Sequence, residues 1–127
     1  MSDTNEMSPV KVAEILDAAA AHIDRVGWLQ EDYYAADLPP TDCRVCAMGA
    51  INVAMFGHPF PPEDSHAYAV TCDLGDLVLE HLGVLGLDLA AWNDEPHRTQ
   101  DDVTGALRET AAQLRHPATT DPAEETS

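Results

Sequence analysis

Apolar residues recur at helical spacing along most of the chain, and the first run of them predicts a helix from Ser8-Pro9 to Gly27. Serine is a favoured N-cap, proline suits the first helical position, and glycine commonly follows a helix C-terminus. The apolar positions of this helix fall on one face: Val12, Ile15, Leu16, Ala19, Ile23 and Val26. A helix with such a stripe packs that face against a core.

The second predicted helix begins near residues 43–46, with Thr41 or Asp42 as its N-cap, and ends at Phe56-Gly57. Its body, AMGAINVAMF, is apolar on nearly every side, with Asn52 as the one polar residue. This composition is typical of a helix buried at the centre of a small domain.

Proline-rich loops interrupt the rest of the pattern. The segment GWLQEDYYAADLPPTD is predicted to be a loop because it ends near two prolines, with a short hairpin over 28–42 as an alternative. After HPFPPEDS, a third helix is predicted over 65–82 and is ended by Gly83, and a short helical turn is predicted over 87–92. The last helix is predicted to begin at Thr99, with Asp102 completing a capping box. The predicted fold class is therefore all-α: a single compact bundle of about four helices with irregular proline-rich connections.

The chain is strongly acidic, since 23 Asp and Glu against 6 Lys and Arg give a formal net charge of −17 over 127 residues. Residues 1–7 are polar and acidic, and 117–127 contain no side chain suited to a core, so both are predicted to be disordered tails. Five acidic residues lie in these tails, and the predicted helical domain, 8–116, still carries −12. Such a field repels nucleic-acid phosphates and anionic membranes. It suits a basic protein surface, although solubility alone would also account for it.

The sequence favours a cytoplasmic protein. The first seven residues do not resemble a signal peptide, and no apolar run is long enough to span a bilayer. Three cysteines, an odd number, do not suit a secreted disulfide framework.

The stretch DCRVCAMGAINVAMFG comes closest to a chemical motif, because Cys43 and Cys46 lie three residues apart. Structural zinc would need two further ligands, such as Cys72 and a histidine, but no second close pair follows. A redox pair would need an α/β context that the pattern does not provide. A nucleophilic Cys46 near a helix N-terminus would need a histidine base. The candidates are His66, His81 and His97. The favoured interpretation is a buried Cys46 in the core, with no metal or cofactor.

The stretch WNDEPHRT lies in a predicted loop between helices, where binding residues concentrate. The predicted binding residues are Trp92, Asn93, Asp94 and Arg98, together with Cys46 and Trp28. In this interpretation Trp92 is an aromatic anchor and Arg98 a rare positive charge. The alternative is structural: Asn93 or Asp94 forms an Asx-turn, Trp92 closes the core, and Trp28 packs beside it.

Three segments together resemble an uncharacterised family of small acidic proteins from actinomycetes and their phages. They are GWLQ at 27–30, CRVCAMGAINVAMFG at 43–57 and LAAWNDEPHRTQDDVTGALRETA at 89–111. The resemblance implies an all-helical domain and no particular activity. The family pattern has a single cysteine, which matches Cys46, so that Cys43 is an addition in this chain. The zinc and redox interpretations, which both require the pair Cys43 and Cys46, therefore lose support.

These observations predict a non-enzymatic binding or regulatory protein whose acidic surface docks on a basic partner. The most specific version of this prediction is a protein that mimics DNA. One alternative is a cysteine-dependent hydrolase or transferase that uses Cys46 with a histidine base. The other is a zinc-stabilised module. The sequence does not define the partner or the oligomeric state.

Overall fold

The computed structural model describes residues 8–116, which form five α-helices joined by irregular loops. They are α1 Pro9–Val26, α2 Ala47–Phe56, α3 Ser65–Leu82, α4 Leu89–Asn93 and α5 Gln100–Arg115. No strand forms within the described residues, and the predicted all-α fold is confirmed. The predicted tails, 1–7 and 117–127, lie outside the described residues. None of the five helices combines the length and the apolar character that a bilayer crossing requires.

The core is shared by all five helices, with α1, α2 and α5 packed most closely. Helix α1 packs most extensively against α5 and next against α2, while α3 contacts α2, α4 and α5. The largest fully buried apolar side chains come from all five helices and include Leu16, Ile23, Ile51, Leu74, Leu89 and Leu107. Full burial of a leucine or isoleucine contributes about 1.5–3 kcal/mol, so this shared core holds the helices together.

The local signals at the helix ends act as predicted. The Ser8 Oγ accepts a hydrogen bond from Lys11 N at 3.1 Å, and Gly83 ends α3 with φ +74° in the left-handed region. At α5, Thr99 Oγ1 accepts from Asp102 N, and an Asp102 carboxylate oxygen accepts from Thr99 N, each at 3.1 Å. This is a complete capping box, and it satisfies two backbone donors that a helix start would otherwise leave unpaired.

The predicted start of α2 is wrong. The helix begins at Ala47, and its N-cap is Cys46 rather than Thr41 or Asp42. The reason is a contact with a distant segment of the chain. Val45 is extended, and its N donates to Gly27 O at 3.2 Å while its O accepts from Leu29 N at 3.0 Å. Backbone bonded in this way to a distant segment cannot also form a helical turn.

The hairpin suggested within 28–42 does not form. Instead, isolated bridges join Val45 to Trp28 in parallel and to Tyr34 in antiparallel orientation. The loop after α1 therefore wraps around the residues that precede α2.

The short α4 also begins later than predicted, at Leu89, because Asp88 caps it by accepting from Ala91 N at 2.8 Å.

Candidate functional site

Asn93, the last residue of α4, is fully buried and uses every hydrogen-bonding position of its side chain. Its Oδ1 accepts from the Trp28 indole Nε1 at 2.7 Å and from Ala47 N at 3.0 Å. Its Nδ2 donates to Leu29 O at 3.1 Å and to Asp94 Oδ1 at 3.0 Å. Indole and backbone N–H groups can only donate, so the orientation of the amide is fixed by chemistry. We call these five residues the Asn93 node.

The Asn93 node also supports a strained turn. Asp94 Oδ1 accepts a second hydrogen bond, from Glu31 N at 2.8 Å. Glu31 has φ +78°, a left-handed conformation that costs a residue with a Cβ about 1–2 kcal/mol. Asp94 thus holds the loop after α1 in the conformation that brings Trp28 to Asn93.

Gln30 is a contributor that the sequence did not single out. Its Nε2 donates to Asn93 O at 3.2 Å and to Glu95 O at 2.9 Å, which satisfies two carbonyls at the end of α4. A glutamine in a polar loop belongs to no hydrophobic pattern and to no motif with a fixed spacing, so the sequence pattern does not mark it. Its presence in the segment GWLQ, which carries the family resemblance, was the one available pointer.

Trp92 and Arg98 form a second cluster beside the node. Trp92 is only 5% exposed, and the Arg98 guanidinium lies 3.9 Å from the centre of its ring. Arg98 Nε donates to Trp92 O at 3.0 Å, and the guanidinium also pairs with Glu95 and Asp102. The arginine therefore covers the tryptophan and is held by its own chain. A role for Trp92 and Arg98 in binding a partner stays a prediction.

Cys46 sits at the start of α2 as a buried cap. It is 2% exposed, and its Sγ accepts from Gly49 N at 3.4 Å. Burial raises the pKa of the Cys46 thiol to about 11, although hydrogen bonds from the backbone act in the opposite direction. A nucleophile needs an accessible thiolate near neutral pH, and this thiol is neither accessible nor ionised. No contact of Cys46 supports a cysteine-dependent enzyme.

The buried position of Cys46 predicts its reactivity. In a Cys43→Ala/Cys72→Ala variant, Cys46 is the remaining thiol, and alkylation at pH 8 is expected to be at least about 100-fold slower in the native protein than in urea. Mass spectrometry over time measures the labelled fraction. Native labelling as fast as labelling in urea would restore the nucleophile hypothesis.

The other cysteines do not complete a metal site. Cys43 is buried, and its S–H donates to Pro40 O at 3.6 Å, whereas Cys72 is half-buried on α3. Over residues 8–116, no group of three His, Cys, Asp or Glu side chains is arranged to hold a metal ion. The zinc-stabilised alternative gains no support from these positions.

Fold and node together define a small all-helical domain in which the buried amide of Asn93 ties the loop after α1 to the start of α2. Residues 7–113 match the model of the family of unknown function DUF6197, and the chain belongs to this family. The predicted membership of an uncharacterised family is thus confirmed. No curated protein matches the chain, and no solved structure does so either.

Proposed function

We propose that the chain is a small non-enzymatic binding or regulatory protein of the cytoplasm that docks on a basic partner surface. The observation that carries the proposal is the uncompensated negative charge of residues 8–116, which is −12. The Asn93 node supports the proposal indirectly: its side-chain amide is fully used within the chain, so it serves to fix the scaffold rather than to bind a substrate.

The arrangement of the arginines strengthens the charge argument. Four of the five are engaged by carboxylates of the same chain. The pairs are Arg25 with Asp42 at 3.6 Å, Arg98 with Glu95 and Asp102, Arg108 with Asp24 at 2.6 Å, and Arg115 with Asp17. These pairs are largely exposed and each contributes about 0–1 kcal/mol to stability. Their main effect is to leave little cationic surface, so the field outside the protein is that of its excess carboxylates.

Capture of a partner tests the proposal. The chain is immobilised and exposed to an actinomycete lysate at about 0.05 M and about 0.5 M salt, since the higher concentration screens surface charges. An unrelated acidic protein of similar isoelectric point, immobilised in the same way, removes proteins that bind any polyanion. We expect a specifically retained protein with a basic surface whose purified form binds at least about tenfold more weakly at the higher salt.

A captured protein that is acidic, or that binds equally at both salt concentrations, would contradict the proposal, as would the absence of specific capture. Competition by duplex DNA for the captured partner distinguishes the DNA-mimic form of this function from docking on another basic surface.

A further inference from the structure

A cleft of about 360 Å³ opens where the start of α1 and the end of α5 face the side of α3. Its apolar lining comes from all three helices: Pro9 and Val12 of α1, Leu74 and Leu77 of α3, and Leu114 of α5. The volume lies at the lower end of the range of ligand pockets, about 300–1,000 Å³. The cleft is open to solvent and offers room for a few apolar side chains rather than for a large enclosed ligand.

The rim of the cleft is acidic. Asp73, Asp76 and Glu80 line it from α3, and all three are exposed. Their spacing of three and four residues places them on one helix face, together with Leu77. Among the described residues, no lysine or arginine lines the cleft. We call this feature, the apolar lining with its three carboxylates, the acidic cleft.

The Asp76 and Glu80 carboxylates of the acidic cleft, four residues apart, do not serve the stability of α3. Like charges three or four residues apart on a helix destabilise it by about 0.2–0.5 kcal/mol per pair. The helix therefore carries a carboxylate row beside an apolar surface at a small cost. A cationic partner with its own apolar face would remove that cost and cover the apolar lining.

Charge also decides between the possible occupants. The chain segments next to the cleft in sequence, 1–7 and 117–127, carry −2 and −3, and a second copy of the chain brings −12 from 8–116 alone. All three would bring a net negative charge to Asp76 and Glu80. A basic amphipathic helix has the complementary charge, and its apolar residues at positions i, i+3, i+4 and i+7 match a groove of this kind.

We propose that the acidic cleft receives a basic amphipathic helix of the partner protein, with apolar side chains on Pro9, Leu77 and Leu114 and with Lys or Arg side chains on Asp76 and Glu80. This inference rests on the proposed function and names the surface that performs it.

A synthetic peptide of leucine and lysine, patterned with one apolar helical face, serves as the probe. A scrambled peptide of the same composition, with no apolar face, serves as its control. Binding to the full chain is measured by fluorescence anisotropy at low salt. We expect the patterned peptide to bind at least about tenfold more tightly than the scrambled one.

Paired charge variants locate the binding. Asp76→Asn/Glu80→Gln is expected to weaken binding of the patterned peptide by about tenfold, because it removes two rim carboxylates. Asp37→Asn/Glu63→Gln removes the same charge from exposed loop positions away from the cleft and is expected to change binding by less than about twofold. Unfolding midpoints establish that each variant is folded.

The outcomes separate the two proposals. Equal binding of both peptides, or equal weakening by both charge pairs, would show diffuse attraction to the whole surface and would overturn the docking of a helix in the acidic cleft. Absence of peptide binding would overturn it as well. In either case the salt-sensitive capture of a basic partner still decides the proposed function on its own.

Discussion

Replacing Asn93 with alanine is expected to lower the free energy of unfolding by about 3–5 kcal/mol, a large part of the 5–15 kcal/mol typical of a domain. The substitution removes four hydrogen bonds at once. It leaves Ala47 N in the interior and the part-buried Trp28 Nε1 and Leu29 O without this partner, and a buried group left unsatisfied costs about 1–3 kcal/mol. The midpoint of urea unfolding, at an unchanged dependence on denaturant, measures the loss.

Asn52 provides a matched control. It is buried to the same degree as Asn93, but its Nδ2 makes one hydrogen bond, to Pro59 O at 3.1 Å, and its Oδ1 has no partner among the described residues. Asn52→Ala is therefore expected to cost about 1–2 kcal/mol. Equal losses for the two alanine variants would show that the Asn93 node adds nothing beyond the packing of a buried asparagine.

The variant Asn93→Asp keeps the size and shape of the side chain and removes its two hydrogen-bond donors, so it tests the contribution of those donors alone. The introduced carboxyl keeps both acceptor positions, but its ionised form cannot donate to Leu29 O and lies against the Asp94 carboxylate. Burial and that neighbouring charge disfavour the ionised carboxyl, although Trp28 Nε1 and Ala47 N still donate to it. We expect the destabilisation by Asn93→Asp to be greater at neutral pH than in acid, where the protonated form donates again, and urea unfolding at both pH values measures the difference.

Replacing Gly49 with alanine is the second substitution with a large expected effect. Gly49 lies in the first turn of α2, where an added Cβ would stand 2.1 Å from Tyr33 O and 3.2 Å from Val45 Cβ. The Tyr33 carbonyl cannot move away freely because it accepts from Cys46 N at 3.2 Å. We expect a loss of about 3 kcal/mol or more, since the backbone of two segments must separate. Urea unfolding and the near-ultraviolet circular dichroism of the tryptophans both report it.

Gly105 is the control for this substitution. It lies within α5, and a Cβ added there meets no atom within 4 Å. Alanine is favoured over glycine in a helix by about 1 kcal/mol, so Gly105→Ala should raise the free energy of unfolding. The same chemical change is thus expected to act with opposite signs at two helical glycines. A small effect at Gly49 would mean that the close approach to Tyr33 is not a feature of the folded protein.

Three of the helix ends that could be predicted from the sequence are capped by neighbours in the chain. Ser8 with Pro9, Thr99 with Asp102, and Gly83 each act over four residues or fewer, which is the range of local hydrogen bonding. The apolar stripe of α1 was equally local, and the structure buries most of it against α5 and α2.

The start of α2 and the partners within the Asn93 node could not be predicted in this way. The donors and acceptors that converge on Asn93 lie 46 to 65 residues away in the chain, apart from its neighbour Asp94. A thiol is also not among the preferred N-caps, so Cys46 gave no helix-start signal. The sequence pattern marked Trp28 and Asn93 as unusual residues, but only their distance in space shows that they bind each other.

The pairing of α1 with α5 also bears on how the chain folds. Ion pairs join Asp24 to Arg108 and Asp17 to Arg115, across 84 and 98 residues of sequence. During synthesis, α1 is made first and α5 last of the five helices, so the part of the α1 apolar face that packs on α5 has no cover until nearly the whole domain has been translated. Contacts of such high sequence separation slow folding and leave incomplete chains exposed to aggregation. Nascent copies of this chain are therefore expected to depend on protection of that part of the α1 face until α5 emerges.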